Sequence, residues 1–222
     1  MRVLAIAPHA DDETLGCGAR LLQHQAAGDS ICWLIATRGH SPRWSEELLA
    51  SKDREIDKVA EAYGFEKVYR LGYPAIRMDT VPLEELIGAI GEAIAEAKPD
   101  YVYVNHFGDV HSDHLRVFEA TMAVLKPFYS SKHGVRRVMS YEVPSSTDAM
   151  PPIPARNFLP NMFSDVTDFI DRKLELMSMY ETEVQPYPLP RSSESIRALA
   201  RYRGATIGAE YAEAFMLIRE IA

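Results

Sequence analysis

Short apolar runs alternate with helix-length amphipathic segments along most of this chain, and that alternation is what most restricts its fold. Residues 3–7, 30–37, 67–71, 101–104 and 137–142 are runs of aliphatic, β-branched or aromatic side chains and read as strands. Between them, residues 18–25, 46–63, 82–97 and 114–125 read as helices. The second of these places Leu48, Leu49, Ile56, Val59, Ala60 and Tyr63 roughly on one face. The third follows Thr80, a candidate cap, and stops before Pro99. Strands joined through helices pair in parallel, because the crossover carries the chain back to the end it left. The expected class is therefore α/β, a mostly parallel sheet with helices on both faces.

After residue 142 the rhythm breaks. Residues 143–160 break into Pro, Ser, Asn and Met, five of them prolines, and form a long irregular segment, of the kind that covers a site or joins subunits. A helix is expected over 168–180. The run Gln185-Pro-Tyr-Pro-Leu-Pro190 must be extended, since proline removes helix hydrogen bonds. Residues 192–202 read as a helix, and 213–218 as either a closing strand or a last helical turn. No repeat and no linker interrupts the pattern, so residues 1–222 read as one domain.

Two of the strands run into clusters of metal-binding side chains. The first is followed by Pro8-His9-Ala10-Asp11-Asp12-Glu13, and the fourth by His111-Ser112-Asp113-His114. Parallel sheets collect functional groups at the carboxyl ends of their strands. Brought together, His9, Asp12 and His114 are two imidazoles and one carboxylate, a set that suits tetrahedral Zn²⁺ with one position left for water. Fe²⁺ and Co²⁺ accept similar donors. Asp11, adjacent in sequence to Asp12, points elsewhere and is free to take a proton from water. His111, one helical turn before His114, is placed to serve a developing oxyanion. Asp109 is a lesser candidate for a carboxylate behind a ligand. Simpler readings compete: Asp11 and Asp12 would favour the positive start of a helix, and Asp113 with His114 would make an ordinary ion pair.

Other chemistries fit less well. A net charge of −8 lacks the basic face that nucleic acid requires. No apolar run approaches the roughly 20 residues of a membrane span. The chain passes from Met1-Arg2 straight into a strand, so no signal peptide is expected. Cys17 and Cys32 lack C-x-x-C spacing and read as free, buried thiols of a reducing compartment, most simply the cytoplasm. Gly16-Cys17-Gly18 begins a dinucleotide fingerprint, but Leu21 stands where its third glycine belongs. Close packing of a helix start against the sheet accounts for these glycines better. His24, His40, His106 and His133 have no partner spacing; His40 and His106, near strand ends, are candidates to line the pocket, but loop or surface roles fit each better.

The two clusters together resemble the LmbE-like, or PIG-L, family of zinc-dependent de-N-acetylases. The likeness begins with Ala7-Pro8-His9-Ala10-Asp11-Asp12-Glu13 and Gly16-Cys17-Gly18, Ala10 replacing the usual proline. It continues through Thr37-Arg38-Gly39, residues 55–64, His111-Ser112-Asp113-His114 and residues 173–182 to Arg203-Gly204, Gly208 and Tyr211-Ala212-Glu213-Ala214-Phe215. The resemblance implies a Rossmann-like sheet, zinc on His9, Asp12 and His114, Asp11 as general base, and a protonated His111 as oxyanion donor. It implies Asp113 as the carboxylate that orients a histidine, and Arg38 and Lys52 as substrate contacts.

Three positions depart from the family pattern. Lys52 stands where arginine is common, Ala75 where Asp or Asn is expected, and Glu183 where glutamine is common. The implied partner is a small N-acetylated sugar or conjugate resembling N-acetylglucosamine. A thiol-sugar amidase, a catalytically idle metal binder, a metal phosphohydrolase and assembly as a homo-oligomer all stay open at this stage.

Overall fold

The computed structural model describes residues 1–222, apart from the side chains of residues 129–131. Its centre is a seven-stranded sheet built from β1 (Arg2–Ala7), β2 (Ser30–Arg38), β3 (Lys67–Pro74), β4 (Tyr101–Asn105), β5 (Arg137–Tyr141), β6 (Met162–Asp165) and β7 (Ala212–Glu220), ordered β3-β2-β1-β4-β5-β7-β6. The first five strands pair in parallel. β7 runs antiparallel between β5 and β6. The chain switches direction at β1, with β2 on one side and β4 on the other. A switch point of this kind leaves a crevice at the strands' carboxyl ends.

Alternate residues of β1 explain the layering. Val3, Ala5 and Ala7 pack into one apolar cluster with Leu15, Leu21, Trp33, Val59, Tyr63, Leu176 and Phe215. Leu4 and Ile6 pack into another with Leu34, Ile90, Ile94, Val104, Val117 and Val138. The helices supplying these residues are α1 (Asp12–Ala26), α2 (Glu46–Tyr63) and α6 (Ile170–Ser178) on the first face, and α3 (Leu83–Ala97) and α4 (Ser112–Val124) on the second. A strand buried on both faces reads as an unbroken apolar run, as β1 does.

The remaining helices are α5 (Pro127–His133) and α7 (Ser193–Ala205). Neither α5 nor β6 stands out in the sequence, because both are short and sit in stretches rich in turn-forming residues. The 213–218 segment resolves as strand β7, and its neighbour β5 supplies the ladder that a helical turn there would forgo. Thr80 does not cap α3: it lies in a short 3₁₀ turn, and Pro82 occupies the cap position without a side-chain bond. α1 begins six residues earlier than the glycines suggest, at Asp12, and is kinked at Cys17. Gly16 is where this helix touches the sheet. A Cβ there would stand 2.0 Å from Tyr141 Cδ2. Among the described residues no helix is long and apolar enough to cross a membrane.

Candidate active site

β1 feeds a tight turn that enters α1. Asp11, at its corner, has φ 139° and ψ −28°, a region that a residue with a Cβ rarely adopts. The turn separates neighbouring carboxylates: Asp12 faces the two imidazoles of the site, whereas Asp11 meets Arg191. Asp12 Oδ2 also accepts the His9 backbone N–H at 2.8 Å, which closes the turn. Glu13 does not join either of these carboxylates. Its side chain is buried beneath the turn, accepting from the hydroxyls of Thr14 and Tyr180, each at 2.6 Å, and from the Asp11 N–H at 3.3 Å. Burial pushes the Glu13 carboxyl up to about 7, against the pull of those hydroxyls.

β4 supplies the other half. Asn105, at its end, donates to the His114 carbonyl at 2.9 Å. α4 then starts at Ser112 with His111 as its cap, whose Nδ1 accepts the Asp113 N–H at 3.2 Å. A ring that accepts at Nδ1 is neutral and carries its one proton on Nε2. The resemblance suggests a charged His111; the hydrogen bonding instead gives a neutral N–H donor. Burial, then the charges that His9 and His114 carry with no ion between them, push this imidazole down to about 4.

Three atoms converge where the two halves meet. His9 Nδ1 lies 3.2 Å from Asp12 Oδ2, His114 Nε2 lies 3.3 Å from the same oxygen, and the two nitrogens are 3.3 Å apart. The opposite nitrogen of each ring is committed. His9 Nε2 donates to Asp113 Oδ2 at 3.0 Å, and His114 Nδ1 donates to Asp109 Oδ2 at 2.7 Å. With both rings neutral, as metal ligation requires, each turns a lone pair toward the other and toward a carboxylate oxygen. Three such acceptors repel one another unless a cation or protons lie between them. A tetrahedral ion with bonds of 2.0–2.1 Å keeps its ligand atoms about 3.3–3.4 Å apart, close to the spacing seen. Donor type, spacing and charge all fit a divalent metal.

The same demand for positive charge shapes the titration of these groups. Burial pulls His9 down, but the Asp113 and Asp12 carboxylates outweigh it and raise the ring to about 9. His114 goes to about 10 against the same burial, through Asp12 and Asp109. Burial alone would raise the Asp12 carboxyl, yet His114 and His9 hold it far below the usual range. The His111 ring stands edge-on to His9, its centroid 4.6 Å away, and offers a further nitrogen within 4.8 Å of the other two histidines.

Asp113 and Asp109 act from behind. Asp113 also accepts the Ile76 and Met78 N–H groups at 2.6 and 3.2 Å, tying α4 to the chain after β3. Asp109 also accepts from Thr147 Oγ1 at 2.6 Å, which anchors the irregular 143–160 segment. Such carboxylates fix the tautomer and orientation of a ligand ring.

His9, Asp11, Asp12, His111 and His114 line one cavity of about 710 Å³. Its polar wall holds Lys52, Thr182, Glu183 and Arg191, and its apolar wall includes Trp44, Leu48, Ile76 and Val110. Lys52 donates to Thr182 Oγ1 at 3.1 Å and pairs with Glu183. Arg38 lines the rim, where its guanidinium pairs with Asp53 at 2.7 Å. Ala75 lines the cavity as well, so the departure noted there leaves an apolar patch.

Arg191 and Trp44 escape sequence reasoning. Arg191 follows a proline-rich run without periodicity, 180 residues from Asp11; the sole cue nearby is the unusual Glu183. Trp44 is a single aromatic in the loop after β2. Two histidines also depart from a loop or surface role. His24 is buried between Asp29 and the Tyr103 hydroxyl. His106 is buried with Nε2 on the Arg156 carbonyl at 2.9 Å. Cys17 and Cys32 are free and buried, as expected.

Known proteins share this arrangement of chain and fold. An uncharacterized deacetylase, YaiS, from Escherichia coli (strain K12) is 26% identical over 171 residues, 75% of this chain and 82% of the relative. A diacetylchitobiose deacetylase from Thermococcus kodakarensis is 22% identical over 98% of this chain and 83% of its own. The crystal structure of the conserved protein TT1542 from Thermus thermophilus superposes with a TM-score of 0.79 at 25% identity, covering 100% of this chain and 97% of that one. A profile described as PIG-L, GlcNAc-PI de-N-acetylase, matches residues 4–125, which span both halves of the site. The chain belongs to the PIG-L (LmbE-like) family.

Proposed function

We propose that this cavity removes the acetyl group from an N-acetylated amino sugar or a small conjugate of one. The observation that carries the reading is the triangle of His9 Nδ1, Asp12 Oδ2 and His114 Nε2, with Asp11 and His111 opening on the same cavity. The named activity of the Thermococcus relative, a diacetylchitobiose deacetylase, supports the substrate class. His9, Asp12 and His114 would hold the metal, Zn²⁺ on the chemistry of the donors, with Fe²⁺ and Co²⁺ as alternatives. When bound, a divalent ion there polarises an amide carbonyl and brings the pKa of water from 15.7 toward ~7.

The protein groups do the rest. Asp11 takes a proton from the water that attacks the acetyl carbon. His111 donates its Nε2–H to the carbonyl oxygen as that oxygen gains charge. The carbon–nitrogen bond then breaks, and the proton held by Asp11 passes to the departing nitrogen. One water and one amide give one amine and one acetic acid, or after proton exchange one ammonium and one acetate. Asp113 and Asp109 keep the ligand rings from rotating. Lys52 and Arg38 would meet sugar hydroxyls at the rim; Lys52 keeps the charge of arginine but not its planar fork. The two buried free thiols agree with a reducing compartment such as the cytoplasm.

Amine release from a panel of N-acetylated sugars, with and without chelator, tests the reading. Chelator-sensitive release from at least one amino sugar is expected. Release that chelation leaves untouched would remove the metal mechanism, and no release from any sugar would remove the substrate class.

A further inference from the structure

Arg191 is held from both sides before it reaches the site. Its backbone N–H donates to Gln185 Oε1 at 3.3 Å, which closes the proline-rich loop on itself. The next residue, Ser192, caps α7 by accepting the Ser195 N–H at 3.1 Å. From this anchor Nη1 donates to Asp11 Oδ2 at 3.0 Å and to Glu183 Oε2 at 2.7 Å. The other Glu183 oxygen is taken by Lys52, which also bonds Thr182. The chain Asp11–Arg191–Glu183–Lys52 thus ties the aspartate to α2 and to the segment after α6. All four residues line the cavity.

We propose that Arg191 is a positioning residue for Asp11, and that this four-residue chain holds the Asp11 carboxylate in the orientation from which it accepts a proton. The inference rests on Asp11 being the proton acceptor. Asp11 has an unusual backbone conformation, and its side-chain contact on the cavity side is Arg191. A carboxylate released from that contact is free to rotate about its own side-chain bonds. A misplacement of about 1 Å costs a catalytic group on the order of 10²-fold in rate. Simple neutralisation of two acidic groups is the competing role, and it would leave turnover insensitive to which cation is present.

The experiment compares wild type, Asp11→Asn, Arg191→Ala, Arg191→Gln and Arg191→Lys, each loaded with Zn²⁺. Readouts are kcat, KM, metal content and melting temperature. Arg191→Ala and Arg191→Gln are expected to lose about 10²-fold in kcat with KM within about threefold and full metal content. Arg191→Lys is expected to recover only part of that loss, because one ammonium reaches the two carboxylates less well. If Arg191→Ala fails to fold, Arg191→Gln and Arg191→Lys decide by the same criteria. Wild-type kcat in the Ala or Gln variant, a loss confined to KM, or full recovery in the Lys variant overturns the positioning role alone. Wild-type kcat in Asp11→Asn, or an inactive wild type, overturns the reading of Asp11 and this inference with it.

Discussion

His9 Nδ1 and His114 Nε2 stand 3.3 Å apart although 105 residues separate them in the chain. Each ring is turned there by its own carboxylate, Asp113 for His9 and Asp109 for His114. The contact has no value as a hydrogen bond between two neutral rings of this tautomer. In the proposed metal site it is one side of the ligand triangle.

The carboxylates behind the rings should therefore govern metal affinity. Asp109→Asn and Asp113→Asn are each expected to weaken zinc binding by about 10–100-fold. Competition against a chromophoric chelator measures this. Unchanged affinity in both variants would mean that the rings are held by packing alone.

Asp11→Asn separates chemistry from binding. The amide can still accept from Arg191, so fold and metal content should persist. Turnover should fall by about 10²-fold or more, the usual worth of a positioned base. Metal analysis alongside steady-state kinetics checks both halves, and a variant that loses metal would instead place Asp11 among the ligands.

Much of this was legible in the sequence for a physical reason. Strands buried on both faces must be apolar throughout, so β1, β2 and β4 stand out, and the helices between them dictate parallel pairing. His9, Asp12 and His114 follow because strand ends concentrate functional groups at one edge. Arg191 does not follow, since its approach to Asp11 depends on how an aperiodic proline-rich loop closes through Gln185. The fate of Glu13 was equally hidden: its partner Tyr180 lies 167 residues away, and local spacing cannot tell a ligand from a buried acceptor.

Gly16 tests the packing of α1 on the sheet. Tyr141, whose ring a new Cβ would meet at 2.0 Å, is itself fixed by a 2.8 Å hydrogen bond to the Ile6 carbonyl. Gly16→Ala should cost about 1–3 kcal/mol. Gly88, inside α3 with open space around it, is the contrast: Gly88→Ala should stabilise by about 0.5–1 kcal/mol. Chemical denaturation of both variants reads the difference, and equal effects would show that Tyr141 yields freely.

His24 links stability to pH. Burial pulls its imidazole below the ordinary value, despite the Asp29 hydrogen bond, so the folded protein favours the neutral ring. The unfolded chain then binds the proton more readily. Its contribution is complete above about pH 6.5 and is lost as pH falls below that value. Asp29 is also lowered but adds its loss only below about pH 4. As pH falls from 7 to 5, wild type should lose stability relative to His24→Gln, and parallel profiles would contradict the assignment.

The most direct test is anomalous scattering at the zinc edge from crystals of the protein loaded with Zn²⁺. The proposed metal site predicts one strong peak about 2.0–2.2 Å from His9 Nδ1, an Asp12 carboxylate oxygen and His114 Nε2. Zinc bound elsewhere, with no peak among those three groups, would contradict it.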